Sequence, residues 1–265
     1  MTRSNLIIAA AALLGSSTAR ADEWCMSGGA IPDDGTLVRL VSVPPTASPQ
    51  TVVAVRVRVV ATHPGVGDLE VRVTDPSGAI VVLLDRPGMP SNGYPGPWGC
   101  GGDNIDLWLA DSATAAAETT CPYGVTPALG GQLRPLGSLA SFAGRSPTGT
   151  WTLTVRDAVA GDAGSLASAC VEITTAPDCN LNGIPDATDI AGGTSTDANG
   201  DGVPDECSCS ADLDGDGAVS GADLASLLAR WGACAGCVQD LTGDGQVAAD
   251  DLALLLSQWG PCGAQ

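Results

Sequence analysis

The apolar and polar positions change rhythm three times along the chain. Between about residues 30 and 174 they alternate with period two in short runs. Val53, Val55, Val57 and Val59 fall on one side, and Ala54, Arg56 and Arg58 on the other. Leu69, Val71 and Val73 oppose Glu70 and Arg72, Trp151, Leu153 and Val155 repeat the pattern, and Val171 with Ile173 closes it. Residues 79–84 form a short continuous apolar run. Runs of this length, separated by turns such as Asp75-Pro76-Ser77-Gly78, predict a mainly β fold built as a β-sandwich.

Residues 175–208 lose the pattern and fill with Asp, Asn, Gly and Pro. They repeat internally at an offset of nineteen: Asp178, Asn180, Asn182, Gly183, Pro185 and Asp186 align with Asp197, Asn199, Asp201, Gly202, Pro204 and Asp205. Residues 209–262 repeat at an offset of twenty-eight, with fifteen identities in twenty-six positions. Agreement at that level marks a duplicated unit. Each copy places an acidic loop before an apolar helical stretch, predicted at 222–231 in the first copy.

The first twenty-one residues read as an export signal. Arg3 precedes the apolar 6–14 stretch, and Ala19-Arg20-Ala21 supplies a small-residue cleavage site. Cleavage is expected after Ala21. The apolar run is too short to span a bilayer, and no later segment is long enough. Ten cysteines, all beyond the signal, then read as disulfides of a secreted or cell-envelope protein. Charge is one-sided: 11 basic residues, none of them lysine, against 30 acidic, for a net −19. Such a surface repels nucleic acid and anionic lipid. The acids recur at fixed spacing beside glycines from Asp178 onward, a pattern suited to cations.

The chemistry of the twenty-eight-residue unit follows from its spacing. In a twelve-position loop starting at Asp212, carboxylates stand at positions 1, 3, 5 and 12, as Asp212, Asp214, Asp216 and Asp223. Gly217 stands at the sharp turn, and Ala218 at position 7 offers a carbonyl. The second copy places Asp240, Thr242, Asp244, Gln246 and Asp251 at positions 1, 3, 5, 7 and 12. Calcium takes six to eight hard oxygens, and a loop that curls round it presents them on alternate residues. The competing reading is a pair of Asp-Gly turns capping helices. Val219 at position 8 is expected to pair with its twin Val247 across the two loops. Each copy is expected to be closed by its own disulfide, Cys209–Cys234 and Cys237–Cys262, as a staple for a unit too small to bury much core.

With position-12 Asp and no helix before the loop, residues 209–262 resemble a dockerin module, an EF-hand-type calcium fold. That resemblance implies two calcium sites and, through the family's habit, a place in polysaccharide-degrading assemblies. The family's partner-recognition positions, 10 and 11, are commonly Ser-Thr but are here Gly221-Ala222 and Ala249-Asp250, so only calcium carries over. Residues 175–208 resemble thrombospondin type 3 calcium repeats. This implies ligands at Asp178, Asn180, Asn182, Asp186, Asp197, Asn199, Asp201 and Asp205, and a Cys179–Cys207 pair.

Residues 30–174 resemble the P domain (Homo B domain) of subtilisin-like proprotein convertases. The resemblance rests on His63-Pro-Gly-Val-Gly67-Asp68-Leu69, Asp75-Pro-Ser-Gly78, Gly102-Asp103-Asn104, and Gly149-Thr-Trp151-Thr-Leu153 through Asp157 to Gly161-Asp162-Ala-Gly164. It implies a jelly-roll β-sandwich and a serine-protease context. Cys170 stands where the family usually has an aromatic, so Cys25–Cys170 and Cys100–Cys121 pairs are expected. No catalytic domain comes with it: a triad needs a histidine base, and the single histidine lies inside the P-domain motif. The expectation is a secreted, non-catalytic, calcium-binding protein with an unidentified protein or polysaccharide-associated partner. The alternatives are a protease-associated protein and a component of extracellular polysaccharide degradation.

Overall fold

A computed structural model describes residues 19–88, 99–122, 124–197, 202–204, 207, 209–214, 216, 218–234 and 236–262. The chain divides into two compact units, one of Ala19–Pro185 and one from Asp186 onward.

The first unit is mainly β. One sheet has the order β1-β9-β3-β6-β7, from strands Arg20–Ile31, Gly164–Pro177, Gln50–Thr62, Ile105–Leu109 and Leu129–Leu133. All its pairings are antiparallel except β6 with β7. The other has the order β2-β8-β4-β5, from Thr36–Val43, Gly149–Asp157, Leu69–Thr74 and Ile80–Asp85. Side chains from both sheets share one core, so the architecture is sandwich-like. Leu69, Val71, Val73, Trp151 and Leu153 are fully buried, as the alternation predicts. Trp151 stacks edge-on against Phe142, with ring centroids 5.2 Å apart, and its indole N–H donates to Pro147 O.

Two features differ from the sequence reading. Val53 points outward, 40% exposed, because the register of β3 against β9 shifts between Val52 and Ala54. The extra residue of that bulge moves Val52 inward and leaves Val55, Val57 and Val59 in phase. The sandwich also takes in β1, which begins at Arg20, two residues before the expected cleavage point. Cys25 and Cys170 sit directly opposite on β1 and β9 and are bonded, as are Cys100 and Cys121.

The second unit contains helix α1 (Asp186–Gly192), which the aliphatic pattern did not announce, and the duplicated module. In the module, α2 (Gly221–Leu228) and α3 (Ala249–Ser257) each follow an acidic loop. Ala211, Val219, Leu227, Val247 and Leu255 make its small core. The two copies face each other. The position-8 strand β10 (Ala218–Val219) pairs with β13 (Gly260–Pro261), and β12 (Gln246–Val247) pairs with β11 (Gly232–Ala233). Val219 therefore lies opposite Gly260 and Val247 opposite Gly232, and the expected Val219–Val247 pair is not formed. The expected disulfides are corrected for the same reason. Each copy's leading cysteine meets the other copy's trailing one, giving Cys209–Cys262 and Cys234–Cys237. Both schemes obey the repeat, and only the facing arrangement selects between them. Cys179 and Cys207 are disulfide-bonded as well, and no cysteine is free.

Candidate metal centre

Three of the acidic loops share one local device. A loop's first aspartate reaches forward and accepts the N–H of a glycine five residues on. Gly183 donates to Asp178 Oδ2 at 3.0 Å, Gly202 to Asp197 Oδ2 at 3.0 Å, and Gly245 to Asp240 Oδ2 at 2.8 Å. These glycines have φ of 85°, 85° and 90°, a left-handed backbone that side chains disfavour. The turn they make folds each loop back on its own oxygens.

In the first module loop, Asp214 Oδ1 and Asp212 Oδ1 both accept the Asp216 N–H at 3.2 Å, and Asp216 accepts from Ala218 N–H at 3.0 Å. The carboxylates of Asp212, Asp214 and Asp216 each bring an oxygen within 4.8 Å of the other two. Partial desolvation pushes the Asp214 carboxyl upward. The neighbouring charges of Asp216, Asp223 and Asp212 add to this, against the hydrogen bond from Asp216. Three converging carboxylates with mutual repulsion form a hard, anionic donor set, which fits calcium or another hard cation. Among the described residues, the second loop forms no such triple. Its position 3 is Thr242, and that hydroxyl donates to Asp251.

Position 12 has a structural job. Asp223 is fully buried. It accepts from Leu213 N–H (2.8 Å) and Asp214 N–H (3.2 Å) at the start of the loop, and from Ser220 N–H (2.7 Å) at the start of α2. Asp251, also fully buried, takes Thr242 N–H (2.9 Å) and Ala248 N–H (2.7 Å) in the second copy. Burial raises both carboxyls, but the backbone donors together outweigh it and hold both below the ordinary range. Each aspartate thus ties the loop entrance to the helix N-terminus. The sequence reading assigned this position to metal alone and missed the clamp. Its signal was there, since Ser220 with Asp223 three residues later is a capping box.

In the loop after β9, Asp178 also accepts from Asn182 N–H, Asn180 Oδ1 accepts from the same N–H, and Asn182 Oδ1 takes Ile184 N–H at 2.7 Å. Asp178 and Asp186 are buried. Asn199, Asp201 and Asp205 lie outside the described residues. Gly193-Thr194-Ser195 follows α1, where Thr194 Oγ1 donates to the buried Asp189 at 2.7 Å.

No protein-family model and no curated protein matches the chain. Two crystal structures of the Aeromonas sobria serine protease, one with its chaperone, share 17% and 18% identity with it at TM-scores of 0.33 and 0.35. They cover 58% and 60% of this chain, which spans 27% of theirs. An agarase shares 12% at a TM-score of 0.23, over 54% of this chain and 20% of its own. Likeness at this level carries no assignment of activity.

Proposed function

We propose that the chain is an exported, non-catalytic calcium-binding protein in which a P-domain-like jelly roll recognises a partner and a dockerin-like module docks it. The observation that carries the calcium reading is the recurrence of one fold-back, from first aspartate to φ-positive glycine, in three loops of two different repeat families. From Asp178 to the C-terminus, Arg230 is the only cationic side chain among fifteen acids. Bound calcium relieves that repulsion, which the chain has almost nothing else to balance. The docking reading draws on a second duplication. Leu228 and Leu256 are 50% and 52% exposed, and Trp231 and Trp259 are 51% and 48% exposed, at equivalent places in the two copies. Large apolar groups left open twice over suit a protein partner with apolar pockets and a basic rim.

Calcium should raise the thermal unfolding midpoint of the second unit, and chelator should lower it. The purified protein should hydrolyse neither casein nor common glycans. Hydrolysis removed by a single carboxylate or serine substitution would overturn the non-catalytic reading.

A further inference from the structure

The single histidine lies in the sandwich, not among the calcium loops. His63 and Asp157 are both buried, with His63 Nε2 3.1 Å from Asp157 Oδ2. The other ring nitrogen has two neighbours on one residue: Gly65 O lies 2.8 Å from Nδ1, and Gly65 N–H points at it from 3.1 Å. One nitrogen cannot serve both at once. A neutral ring that donates from Nε2 to Asp157 keeps a lone pair on Nδ1, and accepts from Gly65 N–H. A doubly protonated ring loses that lone pair, and donates from Nδ1 to Gly65 O.

Gly65 opens the 3-10 turn Val66–Asp68. That turn holds the loop carrying Cys100: Val66 N–H donates to Gly102 O at 3.0 Å and Gly67 N–H to Cys100 O at 2.9 Å. The His63 N–H itself binds Asn104 Oδ1 at the far end of the same loop. Asp157, at the end of β8, meets the ring directly and Asp68 on the turn interacts with it by charge, while Asp162 on the following loop and Arg86 after β5 act on Asp68 in turn. Asp68 is buried, and no hydrogen bond to its carboxylate is present among the described residues. The surroundings are thus short of positive charge, and a proton on the ring supplies it.

We infer that His63 is a proton-operated latch: its charge state selects which backbone group of Gly65 faces the ring, and so sets the Val66–Asp68 turn and the loop hung from it. Burial is the main cause of the raised Asp68 carboxyl, followed by Asp157, with the His63 ring and Arg86 opposing the rise.

The test is NMR on the full oxidised chain with isotope-labelled histidine, whose one ring gives an unambiguous signal. Across the pH range in which the chain stays folded, the ring carbons should report the change of state. The Gly65 amide should shift along the same curve. In Asp157→Asn, which keeps an acceptor but removes the charge, both curves should move together to lower pH. A ring that changes state while the Gly65 amide stays still makes His63 a packed residue only, and overturns the latch. So does a ring that holds one state throughout that range in the folded wild-type chain.

Discussion

At the scale of single residues, carboxylates in this chain fall into opposed classes. Asp223 and Asp251 are held below the ordinary range by backbone donors. Their folded forms favour the ionised state, so the stability they contribute is complete above the ordinary aspartate pKa. It is lost as pH falls through the depressed folded values. Far-UV circular dichroism of the calcium-free protein should therefore show helix loss in acid. Asp223→Asn should weaken the module at neutral pH and flatten that acid transition. Asp68 is the reverse case: burial raises it, and the folded state prefers it protonated. Stability is then lost as pH rises from the ordinary aspartate value through the raised one. Asp68→Asn should stabilise the sandwich against denaturant at neutral pH and have little effect in acid. A loss of stability at both pH values would contradict this. The loop aspartates were legible in the sequence because ligand spacing is a matter of chain positions. The burial of Asp68 was not, since it depends on strands far apart in sequence.

At the scale of elements, the two module helices start differently. Ser220 caps α2 through its side chain, accepting from Ala222 N–H at 3.2 Å, and Asp223 completes the box. In α3 the corresponding residue is Ala248, which has no such oxygen, and only the Asp251 half remains. Ala248→Ser should restore the missing cap and stabilise the protein by about 1 kcal/mol, measured as a rise in the module's denaturation midpoint. Helix ends are also duplicated. Gly232 and Gly260 have φ of 113° and 126°, and each turns the chain after a tryptophan into a strand that pairs with the other copy. The repeat, the loops and the helices could all be read from residue spacing. The pairing partners could not, because a twenty-eight-residue repeat says nothing of how its copies face. Strands β4 and β8 were legible for their strict alternation, and β9 only around Val171 and Ile173. β1, with Gly28 and Gly29 in its middle, gave little apolar signal. Gly29 leaves room for the Arg39 guanidinium, which donates to Gly28 O at 2.9 Å. Digestion and mass mapping of the unreduced protein should find Cys209 linked to Cys262 and Cys234 to Cys237. A Cys209–Cys234 peptide would reject the facing arrangement.

At the scale of the whole molecule, the two units are built on unlike terms. The sandwich rests on an extensive apolar core shared by two sheets. Among the described residues, the module has five fully or nearly fully buried apolar residues and two disulfides between its copies. A core that small needs further staples, and its loops place like charges side by side. Under the proposed function, calcium would supply the missing cohesion. The most direct measurement is calorimetric titration of the chelator-treated full chain with calcium. At least two sites should appear, and Asp212→Ala should abolish the tighter, because positions 1, 3, 5 and 12 carry four carboxylates in its loop against three in the Asp240 loop. Absence of any calcium binding below about 1 mM, the weak limit for extracellular modules, would contradict the account.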